Sequence, residues 1–142
     1  MLVILVLIQF YPYEKPMVNI DNPNDLLKNN KAPKSVANLL KSSCYDCHSY
    51  ETTFPWYAAI APVKWLVYND INKGREELNF SEWNIINKDD KAEILDDIST
   101  VLLDEEMPLK KYILLHPEAN LSVEDREIIA NWAELLLDDL YE

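Results

Sequence analysis

Apolar side chains recur along this chain at three- and four-residue steps and almost nowhere in strict alternation, the pattern of one-faced helices rather than strands. Val36, Leu39, Leu40 and Cys44 keep that step after Pro33. Proline suits a first helical position, where no amide hydrogen is needed, so a helix starting at Pro33 and running to the cysteine is predicted. Between Lys88 and Leu103, Ile94, Leu95, Ile98, Val101 and Leu102 form one stripe, with Asp and Glu on the opposite face. The last helix has the plainest start. Ser122 stands at the N-cap with Glu124 and Asp125 in the first turn, and Ile128, Ile129, Trp132, Leu135 and Leu136 follow. The prolines and bulky aromatics from Glu51 to Val67 predict an irregular wrap that leads into a helix ending near Lys73, and Ser81 is placed to cap a short turn containing Trp83. No internal repeat is visible. The expected fold is all-α.

The N-terminal end reads differently. Met1 to Ile8 is wholly apolar and breaks at Gln9-Phe10-Tyr11-Pro12. A bilayer span needs roughly twenty such residues, and a signal peptide opens with basic ones, so neither is complete. Residues 1–11 read as the remnant of a longer hydrophobic signal anchor, the alternative being a short buried strand or helix of the domain. Residues 12–32 lack a period and read as a linker with a brief helical turn over Asn24–Lys28. Residues 33–142 form the one domain.

Composition removes whole classes of site. The single glycine, Gly74, leaves no phosphate loop, dinucleotide fingerprint or nucleophile elbow. A formal charge of −12 excludes nucleic acid as a partner. The acids crowd into Asp89–Glu106 and Asp138–Glu142, which makes a solvated surface or a docking face that steers a basic redox partner.

Both cysteines and one of the two histidines fall in Cys44-Tyr-Asp-Cys47-His48. Thiols one helical turn apart share a face and can each form a thioether with a porphyrin vinyl group, while the next histidine turns under the ring as proximal iron ligand. This spacing is the signature of covalent c-type haem attachment. Three other readings compete. A dithiol redox site wants a βαβ setting, absent here. A zinc site of Cys44, Cys47, His48 and His116 would have to use adjacent ligands. A Cys44–Cys47 disulfide would close too small a loop to stabilise much. Covalent haem attachment takes place outside the cytoplasm, so the expected location is the periplasmic side of a membrane, in agreement with the N-terminal apolar run.

A sixth iron ligand has few sources. Met1 and Met17 lie in the anchor and linker, which leaves Met107 and His116. Met107 falls in a loop between two predicted helices, and Pro108 stiffens its approach. His116, before the last helix, is the alternative and would give a bis-histidine iron of lower potential. The plain reading of either residue is a loop anchor or a satisfied surface histidine.

Taken together, Cys44-Tyr-Asp-Cys47-His48-Ser, Pro55-Trp56-Tyr57, Ile60-Ala-Pro62-Val63, Gly74-Arg75 through Trp83, and Glu106-Met107-Pro108-Leu109 with His116-Pro117 resemble the bacterial haem-binding domain family and a class I cytochrome c-type fold. The likeness runs from about Ile8 to Leu137. It implies a small exported or membrane-anchored protein with one haem c and its iron. It further implies that a proline carbonyl, Pro62 or else Pro55, accepts a hydrogen bond from the proximal histidine. Arg75, Asn79 and Trp83 are candidate donors to the haem propionates, while core packing or haem-edge contact is left to Trp56, Trp65 and Trp132. The expected function is electron transfer by a monohaem cytochrome, with no enzymatic activity. The alternatives are a haem-based gas or redox sensor, or a minor peroxidase-like domain, with a displaceable sixth ligand, and an interaction module that uses the acidic face.

Overall fold

A computed structural model describes residues 2–29 and 32–142; Met1 of the apolar run and Asn30 and Lys31 of the proposed linker lie outside the described residues. Among the described residues there are helices and no strands, as the periodicity predicts. The α-helices are α1 (Leu2–Leu7), α2 (Leu26–Asn29), α3 (Lys34–Ser43), α4 (Tyr45–His48), α5 (Val63–Glu77), α6 (Lys88–Leu103), α7 (Lys110–Ile113) and α8 (Val123–Asp139), with 3₁₀ turns at Ile8–Phe10, Trp56–Ala59, Phe80–Ile85 and Pro117–Ala119.

The α6–α8 pair forms the broad base, with α3 laid against α8 and α4 against α5. Ser122 caps α8 as its sequence requires: its side chain accepts from the Asp125 amide while Asp125 accepts from the Ser122 amide. The buried face of α8 is rotated from the expected stripe. Ile129, Ala130, Trp132 and Ala133 are buried together with Arg126, whereas Leu135 is 65% exposed. Small Ala130 and Ala133 let α6 approach, a role that a stripe of large residues hides.

The stripe on α6 divides. Leu95, Ile98 and Leu102 join the core with Leu40, Phe80, Ile129 and Trp132. Ile94 and Val101, half-buried, line a cavity whose wall Ile98 and Leu102 share. Trp83 is core, 2% exposed, and Asn79 rather than Ser81 caps its turn, its Oδ1 accepting from the Ser81 amide at 3.1 Å.

The stretch read as a linker is built into the domain. Leu26 is completely buried, and Asp25 beside it accepts from the Tyr45 hydroxyl at 3.0 Å. Upstream, residues 11–19 run as an extended strap along α5. Tyr11 packs edge-on against Trp65, Tyr13 against Tyr68, Lys15 lies over the Phe54 ring, and the Met17 carbonyl accepts from Arg75. Tyr11 and Tyr13, two residues apart on an extended chain, both turn to α5, and Pro16 is the buried residue of the strap. Proline and asparagine content concealed this, since a strap has neither helical period nor a sheet partner.

Candidate functional site

The helix beginning at α3 carries into the two-cysteine motif with one offset. Cys44 (φ −122°, ψ −41°) ends α3 and caps α4, so Cys47 and His48 occupy a fresh turn whose amides both return to the Cys44 carbonyl, at 3.2 and 2.9 Å. That turn is pressed onto α5 at the one glycine. A Cβ on Gly74 would stand 3.0 Å from the Cys47 carbonyl oxygen and 3.3 Å from its Cβ. Glycine therefore permits the close approach that brings α5 under the motif.

His48 is anchored by its ring nitrogen. Nδ1 lies 3.1 Å from the Leu78 carbonyl, the residue that ends α5. Burial holds the imidazole pKa below its ordinary value, against the opposing pull of the Leu78 and Gly74 carbonyls. A neutral ring that donates from Nδ1 carries its lone pair on Nε2, as a metal-binding histidine must. The acceptor is thus Leu78 and not Pro62. Pro62 is exposed at the head of α5, far along the helix from Gly74, and Pro55 precedes the Trp56–Ala59 turn without taking this bond. Nothing in a leucine marks its carbonyl as a ligand anchor, so no side-chain signal was available.

His48 and Met107 together line two cavities. One, of about 390 Å³, is walled by Cys47, His48, Gly74, Met107, Lys73 and Tyr112 among others. The second, of about 310 Å³, is walled by Cys44, His48 and Met107 with Leu40, Ile98 and Ile129. Each is within the range of roughly 300–1,000 Å³ usual for cofactor pockets. Burial pushes the Cys44 thiol up to about 11. Burial, joined by the charges of Asp46 and Asp70, pushes Cys47 up to about 12. Both are free, protonated thiols near neutrality, which disfavours the thiolate that redox exchange or zinc binding needs. Among the described residues no cluster of His, Cys, Asp and Glu is arranged to hold a metal ion directly.

Met107 reaches the cavities through a distinctive helix end. Glu105 adopts φ 57°, its amide bonds the Leu102 carbonyl and the Glu106 amide bonds the Val101 carbonyl, the paired bonds of a Schellman stop. Arg126, 7% exposed on α8, then donates to the carbonyls of Leu102, at 3.0 Å, and Met107. One guanidinium ties the end of α6 to the methionine. Sequence reading missed this arginine, because it lies 19 residues beyond Met107 on an otherwise core-facing stripe.

His116 is elsewhere. Its Nε2 lies 2.7 Å from the Tyr57 hydroxyl, its Nδ1 3.1 Å from Glu118, and its ring stacks on Tyr112 at 4.3 Å. It lines neither cavity, so the alternative ligand is not brought to His48. Tyr112 does reach the larger cavity, but its hydroxyl donates to Asp46 at 2.8 Å.

The three propionate candidates hold protein instead. Arg75 donates to the carbonyls of Ser49 and Met17 and to the Thr52 hydroxyl, all at 2.9 Å, and so staples the loop after the motif to the strap. Asn79 caps a turn, and Trp83 fills the core. Lys73 and Lys111 are the basic side chains at the wall of the larger cavity, Lys111 also pairing with Asp70 at 2.8 Å. Of the other tryptophans, Trp132 is buried in the core, Trp65 packs under the strap and Trp56 is 79% exposed.

An all-α domain with thiols, a neutral histidine and a thioether around one apolar cleft defines a cofactor-binding protein. The chain matches the family described as haem-binding domain over residues 3–135 and belongs to that family. It binds haem. No curated protein and no solved structure matches the chain.

Proposed function

We propose that this protein is an exported monohaem c-type cytochrome that carries single electrons at the outer face of a membrane. The observation that supports it best is that His48 and Met107 wall the same two cavities, one with Cys47 and the other with Cys44. In this reading Cys44 and Cys47 would hold the porphyrin through thioethers, and His48 Nε2 and the Met107 sulfur would be the ligands to its iron. Bound haem supplies a one-electron ferric–ferrous couple. The chain's part is to hold and insulate it. Leu40, Ile98, Val101, Leu102 and Ile129 exclude water from one face, and Leu78 fixes the imidazole. Lys73 and Lys111 are placed to meet the propionate carboxylates. Glu77 and Asp97 at the rim extend the acidic surface toward a basic redox partner.

Two polar groups that a sensor or peroxidase would use are already engaged: the Tyr112 hydroxyl on Asp46, and both nitrogens of His116. This favours a carrier with a closed coordination shell over an enzyme or gas sensor.

The visible and near-infrared spectra of the holoprotein test the reading. Met107→Ala should abolish the weak sulfur-to-iron band of the oxidised protein while haem stays attached through denaturing electrophoresis. Cys44→Ala/Cys47→Ala should lose haem on that gel. Survival of the band in Met107→Ala, or rapid carbon monoxide binding by the reduced wild type at neutral pH, would overturn the closed-shell carrier.

A further inference from the structure

Two exposed apolar surfaces meet at the end of the strap. On α1, five successive residues from Val3 to Leu7 are between 48% and 70% exposed, and Phe10 is 80% exposed. Around the start of α5, Trp56, Ile60, Val63 and Leu66 are exposed at 79, 46, 38 and 59%. Gln9 joins them through a paired amide. Its Nε2 donates to the Ala61 carbonyl at 3.0 Å, and its Oε1 accepts from the Ala61 amide at 2.9 Å. Lys64 adds a bond to the Gln9 carbonyl at 3.3 Å, and Tyr11 packs on Trp65.

Charge is sorted in the same way. The chain is 27% charged with a net −12, yet Met1–Tyr13 contains no charged side chain and Phe54–Asn69 contains only Lys64. A surface purged of acid in so acidic a protein is matched to an anionic or neutral apolar partner. The distribution on α1 narrows the choice. Five consecutive exposed apolar residues cover every side of a helix, whereas a protein partner or a second copy would bury one side. A medium apolar all round suits it. An exposed tryptophan, flanking tyrosines and a lysine with an apolar stem are the side chains that settle at a lipid headgroup boundary. No described helix is long and apolar enough to cross a membrane.

We propose that α1 and the Trp56–Leu66 surface form one lipid-binding face, with the Gln9–Ala61 pair setting its angle to the domain. The inference rests on the membrane-side reading above and names the surface that would do the contacting. α5 starts at this face and reaches the haem motif at Gly74, eleven residues and about 16 Å along the helix. The strap stiffens that spacing.

The test is hydrogen exchange and co-sedimentation of the full-length holoprotein with phosphatidylcholine vesicles, with and without phosphatidylglycerol. The expected result is vesicle binding with slowed amide exchange in both 3–10 and 56–66. Trp56→Ser/Ile60→Ser, whose side chains line neither haem cavity, should weaken binding by about tenfold or more with an unchanged visible spectrum. Gln9→Ala should keep the binding but lose the protection at 56–66. Vesicle binding with protection confined to 3–10, and unaltered in the double variant, overturns the lipid-binding face while leaving a membrane tether intact. Failure to bind any vesicle overturns both. Slowed exchange at 56–66 in a concentration-dependent dimer without lipid assigns the face to self-association and overturns the proposal.

Discussion

Cys47 and His48 sit on a helical turn pressed against Gly74, while Met107, which lines the same cavity, hangs on a loop tied down by one arginine. The cysteine wall is held by packing between helices and by backbone carbonyls of nearby segments. The methionine loop is held by a left-handed residue and by charge-assisted bonds that cross the fold. Packing is spread over many contacts and yields little to a single change away from its tightest point. A loop restrained by two or three directed bonds depends on each of them. The two sides of the site should therefore respond differently to mutation.

Arg126→Met is the largest expected effect. It leaves the Leu102 and Met107 carbonyls without their buried donor, where hydrogen bonds to a charged group contribute about 1.5–3 kcal/mol each. Unfolding in urea should show a loss of about 3 kcal/mol or more. The oxidised protein should also show a weakened sulfur-to-iron band, with haem still attached through the cysteines. Arg126→Lys should recover part of the stability, because it restores one donor but not the fork. If the band and the stability survive Arg126→Met, the loop is held by something other than the arginine, and the contrast between the two sides fails.

Gly74→Val probes the tightest point of the cysteine wall. By helix propensity alone the change is neutral to slightly favourable. Steric packing predicts the opposite sign. The new side chain would press on the Cys47 backbone, and overpacking of this kind costs about 1–3 kcal/mol. Thermal unfolding of the holoprotein reads the sign directly. A stabilised variant would show that the motif turn leaves room for a side chain at position 74, and that the cysteine wall is as compliant as the loop.

The contrast also explains what could be read from the chain. The motif pointed to haem because its signature lies in local spacing, and α3, α6 and α8 declared themselves through hydrophobic period. The partners of His48, Arg75 and Asn79 did not. Leu78 contributes a carbonyl, which no residue type advertises. Arg75 and Asn79 belong to a resemblance that suggested cofactor contacts, yet their donors and acceptors are used on Ser49, Thr52, Met17 and Ser81. Buried protein carbonyls compete for the same cation as a propionate would, and sequence order cannot say which is nearer. The strap was lost for a related reason. Tyr11, Tyr13 and Lys15 pair with residues more than 35 positions away, a distance over which a period of two in a proline-rich stretch reads as disorder.

Glu105 offers the finest discrimination, because it bears on the loop without touching the cavities. Its φ of 57° is a conformation where a Cβ crowds the following carbonyl, and helix stops of this kind usually place glycine there. Glycine lowers stability elsewhere by widening the unfolded ensemble, but at positive φ the relief of strain outweighs that loss. Glu105→Gly should accordingly stabilise the holoprotein by roughly 1 kcal/mol and raise its melting temperature by a few degrees. The residue is exposed and stands between Asp104 and Glu106, so removing its charge works in the same direction. The sulfur-to-iron band should be unchanged, since the amide bonds to Leu102 and Val101 need only backbone. Stabilisation with an altered band would mean that the strain at Glu105 helps to aim Met107, and that the loop side of the site is tuned by backbone as well as by Arg126. A loss of stability would mean instead that the Glu105 side chain anchors the loop, leaving Arg126 as only one of its restraints.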